Sequence, residues 1–423
     1  MEQPRSAARE YSFKSRPEAV ITWGESPAGN TGGWPPLDWE PLQWESKVGS
    51  GRRFMTETPY VPYKAAIPPF IAEISYTPSG EVTAVAEDAA LAIRDFDHQF
   101  GDGVAPFSAI LLRAESVSSS QIENVTADAR SIGMAELGDD SKRNATLVVD
   151  NVAAMNAALA AADSLDTGTI LEMHRALMRH AHPEGAGHWR DEPVWIGTSS
   201  VSPMGAEFVA PDAKRVPKLM DDLMGYAGRN DIQILAQAAI AHAQFETIHP
   251  FTDGNGRTGR ALLHAMLRSK GLTRTVTVPV SAGLLNDVTG YHDALTAYRE
   301  GDPGRIILLT AEATFRAIDN GRQLAGDIAA ARERWKDCIK ARKDAAAWKI
   351  TDVLARQPVV NAKLLEDRLG LSGPTIWRQM QVLEEAGVVE GFDKFKRGRH
   401  WRSDEILDAL DSFAARSGRR SRN

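Results

Sequence analysis

The stretch IQILAQAAIAHAQFETIHPFTDGNGRTGRALLHAMLRSK, from Ile232 to Lys270, decides the fold. Its first part carries apolar residues at helical spacing up to Ile248, and the helix must end there because Pro250 cannot continue it. A second helical pattern runs from Arg257 to Lys270. The sequence therefore predicts two consecutive helices joined by a short glycine-rich loop.

Most segments on either side of this pair also have helical periodicity, which predicts an all-α fold class. One exception lies between Trp189 and Pro211, where two short apolar runs flanked by turn residues predict a small β-hairpin. The long stretch from Pro303 to about Ala347 predicts long helices with a solvated, charged face. The other predicted helices are Val82–Gln99, Ser108–Thr126, Ala145–Asp163, Gly168–His180 and Ala213–Tyr226.

The C-terminal part has a different pattern. Two short predicted helices, Ala362–Leu369 and Pro374–Ala386, are separated by a Gly-Leu-Ser turn, and a basic and aromatic segment, Lys394–Arg402, follows them. This order predicts a winged helix-turn-helix domain that contacts DNA through residues 361–402. A protein-interaction module is the alternative, because the second helix is not strongly basic. The groove-facing candidates are Ser372, Thr375, Trp377, Arg378 and Gln379.

Composition limits the remaining options. The chain has 423 residues, a formal net charge of −7 and one cysteine, Cys338, so an intrachain disulfide and a paired-cysteine zinc site are excluded. No stretch reaches the roughly 20 apolar residues of a membrane span, and no apolar run follows the N-terminus. We therefore expect a cytoplasmic protein of two or three domains with no signal peptide and no membrane contact.

The loop between the two helices carries the chemistry. Its glycines and the start of the following helix can gather backbone N–H groups into an anion site. Arg257 and Arg260 are three residues apart and can hold phosphate oxygens, Asp253 offers the hard oxygen that Mg²⁺ prefers, and His249 is the one group able to act as a base near neutral pH. These are the parts that phosphoryl-type transfer needs.

Two other interpretations of the loop are weaker. A glycine-rich capping loop with incidental charges would not require this full set of groups. A zinc site formed by His242, Glu246 and His249 lacks the His-Glu-x-x-His spacing, and Pro250 ends the helix. We expect His242 to be a core residue of its helix.

The string from His249 to Arg260, HPFTDGNGRTGR, resembles the motif of the Fic family without a gap. The segment Ile67–Ile71 resembles, more weakly, the opening of proteins of this family. The resemblance implies a helical Fic core, with the hairpin as its flap, that transfers AMP from ATP to a Ser, Thr or Tyr hydroxyl. His249 would be the base, Asp253 the Mg²⁺ ligand, and Arg257 and Arg260 would hold the β- and γ-phosphates. The implied ATP-binding residues are Asp253, Gly254, Asn255, Gly256, Arg257, Thr258, Gly259 and Arg260.

The resemblance also implies contacts outside the loop. Tyr291 and His292 fall where the family contacts adenosine, but Arg299 stands where the family often has an asparagine. Phe208 and Val209 of the hairpin would line up a target strand.

A second motif implies a built-in inhibitor. Ser119 and Glu123 lie four residues apart on one helix face, in the string Ser119-Ser120-Gln121-Ile122-Glu123-Asn124. This string resembles the Fic inhibitory motif, in which the glutamate pairs with the second arginine of the loop. The resemblance therefore implies that Glu123 binds Arg260 in place of the γ-phosphate. A solvated glutamate on an ordinary helix is the alternative.

Two rival functions remain open: a DNA-binding regulator whose Fic core senses nucleotides, and a Fic enzyme that removes AMP. The partners implied are a target protein, the chain itself and DNA, and a homodimer is left open. We divide the chain into an irregular arm (1–60), a helical region with the inhibitory helix (61–145), the Fic core (146–318), a linking helix (319–347), the winged helix (348–410) and a disordered basic tail (411–423).

Overall fold

The computed structural model describes residues 33–45, 60–101, 107–197, 202–342, 345–394 and 398–418. The helices in these ranges are α1 Gly80–Gly101, α2 Phe107–Ile122, α3 Ala129–Glu136, α4 Arg143–Ala160, α5 Thr167–Met178, α6 Val216–Gly228, α7 Ile234–Ile248, α8 Asn255–Ser269, α9 Val280–Leu285, α10 Val288–Arg299, α11 Gly304–Cys338, α12 Ala346–Leu354, α13 Ala362–Leu369, α14 Gly373–Glu385 and α15 Asp404–Arg416. The strands are β1 Asp38–Glu45, β2 Tyr60–Ile67, β3 Trp195–Ile196, β4 Phe208–Val209, β5 Val359–Asn361, β6 Glu390–Lys394 and β7 Gly398–Arg402. None of the described helices combines the length and the apolar run needed to cross a membrane.

Helix α7 is the centre of the fold. Every residue from Leu235 to Ile248 is buried, as expected for a helix that is apolar on all sides. Helices α6, α8, α10 and α11 pack around it, with α1 on a further side. The architecture is helical with three small sheets, which confirms the predicted all-α fold class.

Helix α11 is a single element of 35 residues. It packs on α1, α7, α9, α10 and α15. The predicted boundary between core and linking helix at residues 318 and 319 therefore falls inside a continuous helix.

The arm predicted to be irregular contains a strand. β1 pairs with β2 in antiparallel register, with Asp38 opposite Ile67. This strand was not predicted because it contains Pro41, and proline is unfavourable inside a sheet. A strand at the edge of a two-stranded sheet tolerates a proline. Trp34 fixes the arm to the body, since its buried indole packs edge-on against Tyr76 with ring centroids 5.8 Å apart. Of the other tryptophans expected to dock the arm, Trp39 and Trp44 lie against Phe208 and Trp195, and Trp23 lies outside the described residues.

The C-terminal module consists of α12 to α14 and a three-stranded antiparallel sheet of order β5-β7-β6. These elements are compatible with a winged helix, which stays a prediction, and residues 395–397 of the expected wing lie outside the described residues. The tail expected to be disordered from residue 411 is helical to Arg416 in α15. Phe413 and Ala414 are buried there, and Asn320 of α11 donates a hydrogen bond of 2.8 Å to Ser417. Residues 419–423 are not described.

Candidate active site

His249 ends α7 in a left-handed backbone conformation, with φ 50° and ψ 62°. Its Nδ1 lies 3.2 Å from the carbonyl of Glu246. Because a carbonyl can only accept, Nδ1 carries the proton and Nε2 keeps a free lone pair. Burial lowers the pKa of His249 to about 4, against a smaller opposing effect of the Glu246 carbonyl. The imidazole is therefore neutral at pH 7 and is suited to accept a proton at Nε2.

The loop after His249 is closed by its own side chains. Asn255 accepts a hydrogen bond of 2.9 Å from the Phe251 N–H and donates one of 2.8 Å to the Phe251 carbonyl. This amide thus fixes the loop, whereas the sequence interpretation placed it on the α-phosphate. Gly254 has φ 80°, a conformation that favours glycine, and α8 begins directly after it.

The start of α8 forms an anion site. The first bond of this turn runs from the Thr258 N–H to the Gly254 carbonyl at 3.0 Å, so the N–H groups of Asn255, Gly256 and Arg257 precede it. These three donors and the helix dipole favour a negative charge at this end.

Arg257 adds unused donors to this end of α8. Its side chain is 4% exposed, and its Nη2 lies 3.7 Å from Asp253 Oδ1. Its Nε and Nη1 are buried and have no hydrogen-bond partner among the described residues. Because buried unpaired donors are costly, the site is suited to an anion that would pair with them.

Asp253 is the acidic residue of the loop and the candidate Mg²⁺ ligand. Its side chain is 66% exposed, and Oδ1 accepts a hydrogen bond of 2.6 Å from the Gly254 N–H. The described residues contain no cluster of three or more His, Cys, Asp or Glu side chains able to hold a metal ion. A single accessible carboxylate fits the way in which Mg²⁺ is bound with substrate phosphates.

Arg260 is bound to the predicted inhibitory segment. Its Nη2 donates to Glu123 Oε1 at 2.8 Å and to the Ser119 carbonyl at 2.9 Å, and its Nε donates to Ser119 Oγ at 2.9 Å. The Glu123 carboxylate also lies against Gly256, where a Cβ atom would overlap its Oε1. Burial acts to raise the pKa of Glu123, but Arg260, and then Arg257 and His249, lower it below its usual value. A carboxylate therefore lies at the anion site itself.

Residues 164–267 match the Fic/DOC family. This Fic domain includes α5 to α7 and most of α8, with the whole loop from His249 to Arg260.

Curated relatives carry matching names. The chain is 31% identical over 160 residues to protein adenylyltransferase Fic of Nematostella vectensis, covering 37% of this chain and 34% of that protein. It is 36% identical over 109 residues to protein adenylyltransferase fic-1 of Caenorhabditis elegans, covering 26% of this chain and 20% of that one. It is 33% identical over 142 residues to a probable protein adenylyltransferase of Aquifex aeolicus, covering 31% and 40%. The chain thus spans between a fifth and two fifths of the length of these relatives.

Two solved structures resemble the chain. A Fic family protein from Desulfovibrio desulfuricans G20 matches with 23% identity and a TM-score of 0.48, covering 78% of this chain and 98% of that one. A structure of Fic-1 from C. elegans matches with 23% identity and a TM-score of 0.43, covering 58% and 74%.

The loop from His249 to Arg260, called the Fic loop below, is held in place by three residues whose positioning role was not predicted from the sequence. The His174 ring stacks on Phe251 with centroids 3.6 Å apart, and its Nε2 lies 3.0 Å from the Asp253 carbonyl. Arg190 donates to the carbonyls of His249 at 2.8 Å and Pro211 at 2.6 Å, and so ties the loop to the hairpin. Glu246 lies under the loop, where burial raises the pKa of its carboxyl to about 7. The only feature of the sequence that could have indicated such a role is His174, a histidine on an otherwise apolar face of α5.

Helix α2 is anchored to the Fic domain upstream of Glu123. The buried Glu115 pairs with His264 of α8 at 2.9 Å and accepts a bond of 2.8 Å from the Ser281 N–H of α9. Asn151 of α4 donates to the Ser116 carbonyl at 2.8 Å. His264 is therefore a direct side-chain partner of α2, a role that the sequence did not indicate.

Several predicted contact residues are buried against protein. The Tyr291 hydroxyl lies 2.7 Å from His242 Nε2, and the ring is 3% exposed, whereas His292 is exposed. Thr258 donates to the Gly254 carbonyl at 2.9 Å, and Gly259 lies against Phe245. Tyr291, Thr258 and Gly259 thus have contacts within the protein, and their contact with a nucleotide stays a prediction.

The hairpin residues Phe208 and Val209 are also buried. The guanidinium of Arg299 lies 3.7 Å from the centre of the Phe208 ring. Arg299, which stands where the family often has an asparagine, therefore packs against the hairpin through the Phe208 ring.

In the C-terminal module, the described arginines of the expected wing are already paired. Arg399 binds Glu384 at 2.9 Å, and Arg402 binds Glu390 and Asp404, both at 2.7 Å. On α14, Trp377 is exposed and its ring stands edge-on to Trp401. The paired charges favour a protein contact over DNA, and DNA binding stays a prediction.

Proposed function

We propose that this chain is an autoinhibited protein adenylyltransferase that transfers AMP from ATP to a Ser, Thr or Tyr hydroxyl of a target protein or of itself. The observation that carries the proposal is the neutral His249, which lies in one loop with the anion site at the start of α8. The names of the curated relatives support the same activity.

The loop residues supply each part of the reaction. His249 Nε2 takes the proton from the target hydroxyl as its oxygen attacks the α-phosphorus of ATP. The bond from that phosphorus to the bridging oxygen breaks, and pyrophosphate leaves. The N–H groups of Asn255, Gly256 and Arg257 stabilise the charge that develops on the α-phosphate, and this kind of term is often the largest in catalysis.

The two arginines and Asp253 hold the leaving group. The free Nε and Nη1 of Arg257 bind the β-phosphate, and Arg260 binds the γ-phosphate when it is released from Glu123. Mg²⁺, held by Asp253, would neutralise phosphate charge.

Inhibition is the second half of the proposal. Arg260 donates three hydrogen bonds to Ser119 and Glu123, and its side chain is 1% exposed. A guanidinium occupied in this way does not bind a phosphate, and the carboxylate against Gly256 repels one. ATP then binds without its γ-phosphate in place, so its α-phosphorus is out of line with the attacking oxygen.

The target would bind along the hairpin. A cavity of about 370 Å³ lies between β2 and β4, lined by Trp39, Tyr63 and Met204 among others. Since Phe208 and Val209 are buried, a target segment would pair with their backbone as an added strand and contact the exposed Met204.

The test uses ATP labelled at either the α- or the γ-phosphate. The Glu123→Gly protein, incubated with cell lysate and α-labelled ATP, should label itself or a lysate protein. The γ-labelled ATP should give no label beyond that of lysate incubated without the protein, because lysate kinases also use it. Additional labelling from γ-labelled ATP would indicate that the protein is a kinase, and loss of label from a protein already carrying AMP would indicate the reverse reaction. No transfer from either ATP, to self or lysate, would contradict the proposal.

A further inference from the structure

A large cleft lies outside the Fic loop, where helices α2 and α4 meet the C-terminal module. Its volume is about 720 Å³. Its walls come from α2 and α4 on one side and from α13 and the turn after α12 on the other, with Arg268 of α8 between them. None of the residues from His249 to Arg260 lines it.

The cleft concentrates positive charge. Arg113, Arg268, Arg356 and Arg368 line it, and Glu136 is its one acidic residue. The chain as a whole carries a formal net charge of −7, so this cluster is not a reflection of overall composition. Four guanidiniums around one space favour an anion with more than one negative charge.

Arg113 shows that the charge in this cleft is not fully paired. Its side chain is 6% exposed and forms an ion pair with Glu136. Its Nη1 is buried and has no hydrogen-bond partner among the described residues. Burial, and then Arg368, lower the pKa of Arg113 to about 10. The three other arginines of the cleft form no ion pair within the described part of the chain.

Apolar side chains also line the cleft. They are Leu112, Val149, Val152, Leu159 and Leu364. A volume of several hundred Å³ lined by apolar residues and a few charged groups is typical of a small-molecule site. The charged and apolar groups together suit a ligand that carries both phosphates and a flat or apolar body.

We propose that this cleft binds a small polyphosphorylated ligand of the nucleotide class, held through its phosphates by Arg113, Arg356 and Arg368. The site goes beyond the proposed transferase activity, because it shares no residue with the Fic loop. A ligand in this cleft would also contact both α2, through Arg113, and the C-terminal module, through Arg368 of α13. A helix rises about 1.5 Å per residue, so Arg113 is roughly 15 Å along α2 from the turn at Glu123.

Titration calorimetry on the full-length chain tests the site, with pyrophosphate and ADP as probes. All proteins carry Arg257→Ala, which removes the guanidinium donors of that residue from the Fic loop. Any binding that remains at the loop would not respond to Arg368→Glu, and this separates the test from the proposed function. In the cleft we expect one saturable site for each probe, with ADP bound more tightly than pyrophosphate because of the apolar residues that also line it. Arg368→Glu should weaken both by at least tenfold, and Arg356→Glu, also at an exposed arginine, should act in the same direction.

The matched control is Arg94→Glu, which reverses an exposed charge on α1 and should leave both affinities unchanged. Thermal melting verifies that each variant is folded. The proposal is overturned by the absence of saturable binding, or by equal weakening in Arg94→Glu and Arg368→Glu. Tighter binding of pyrophosphate than of ADP would overturn the nucleotide class. A 20-base-pair DNA duplex that binds through Arg368 while both small probes fail would overturn the small-ligand site.

Discussion

The Fic loop and the last turn of α2 meet at Arg260, yet they are held in different ways. The loop is fixed from several sides by Asn255, His174 and Arg190. Glu123 follows the end of its helix, its side chain is 39% exposed, and among the described residues Arg260 is its only ion-pair partner. The difference supports the proposal of a rigid reaction centre with a detachable inhibitor, and each part can be altered separately.

The largest effect is expected in the rigid part. In a Glu123→Gly background, His249→Ala should lower the rate of AMP transfer by about 10²–10⁴-fold, the usual contribution of a general base. ATP affinity, measured by calorimetry, should stay largely intact because the phosphate donors remain. His188→Ala, at an exposed histidine, serves as the control. Transfer at the parental rate would remove His249 from its role.

Removal of the Glu123 carboxylate should change the rate of AMP transfer in the opposite direction. Glu123→Gly should raise auto-labelling with AMP by about 10–100-fold, because a hydrogen bond between charged groups contributes roughly 1.5–3 kcal/mol. Glu184→Gly, at an exposed glutamate, should not change the label. Equal labelling of wild type and Glu123→Gly would reject the inhibitory role.

A smaller rise is expected from Ser119→Ala. The change removes the bond from Arg260 Nε to the serine hydroxyl but keeps the bond to the Ser119 carbonyl. Loss of one such bond corresponds to about a two- to tenfold rise in auto-labelling. The neighbouring Ser118 is a matched control, since its hydroxyl is buried and has no hydrogen-bond partner in the described part of the chain. If Ser118→Ala raises labelling as much as Ser119→Ala, the effect comes from packing and not from this bond.

The last prediction concerns how the stability of the rigid part depends on pH. Burial lowers the pKa of His174, His242 and His249 to about 4, 3 and 4. The unfolded chain therefore binds protons below about pH 6.5 that the folded chain does not, so stability is lost as pH falls from there. Glu246 opposes this, because burial raises its pKa to about 7 and the folded chain keeps that proton.

Because three histidines act in one direction and one carboxyl in the other, the free energy of unfolding should rise with pH. The free energy of unfolding should increase by roughly 1–3 kcal/mol per pH unit between pH 4.5 and 6.5. Urea unfolding at a series of pH values measures it. A flat or falling curve across this window would show that the histidines are not held neutral by the fold.

The sequence was informative where short-range chemistry decides the structure. The two helices around the loop followed from apolar periodicity and from Pro250, and the pairing of Glu123 with Arg260 was expected from the resemblance of two short strings. The proximity of His174 and Arg190 to the loop was not predictable, because they come from distant segments that tertiary packing brings together. Glu246 precedes the loop by three residues, but the burial of its carboxyl depends on tertiary packing.

The errors have physical causes as well. Strand β1 was missed because a tryptophan- and proline-rich edge strand lacks a clear alternating pattern. The helical end of the chain was missed although α15 has a buried apolar face at helical spacing, with acidic residues in its first turn and Arg416 in its last, and packs on α11. The contact of Asn255 and Tyr291 with a nucleotide stays a prediction, and in the structure their polar atoms lie against the Phe251 backbone and His242.

Gly256 has a consequence for how this protein can evolve. The same missing side chain leaves room for the Glu123 carboxylate and opens the anion site at the start of α8. Selection that preserves this glycine for the substrate therefore also preserves the place where the inhibitor lies. Hyperactive alleles should then arise at Glu123 and Ser119, while substitutions at Gly256 or Arg260 should be found only among alleles that have lost activity altogether.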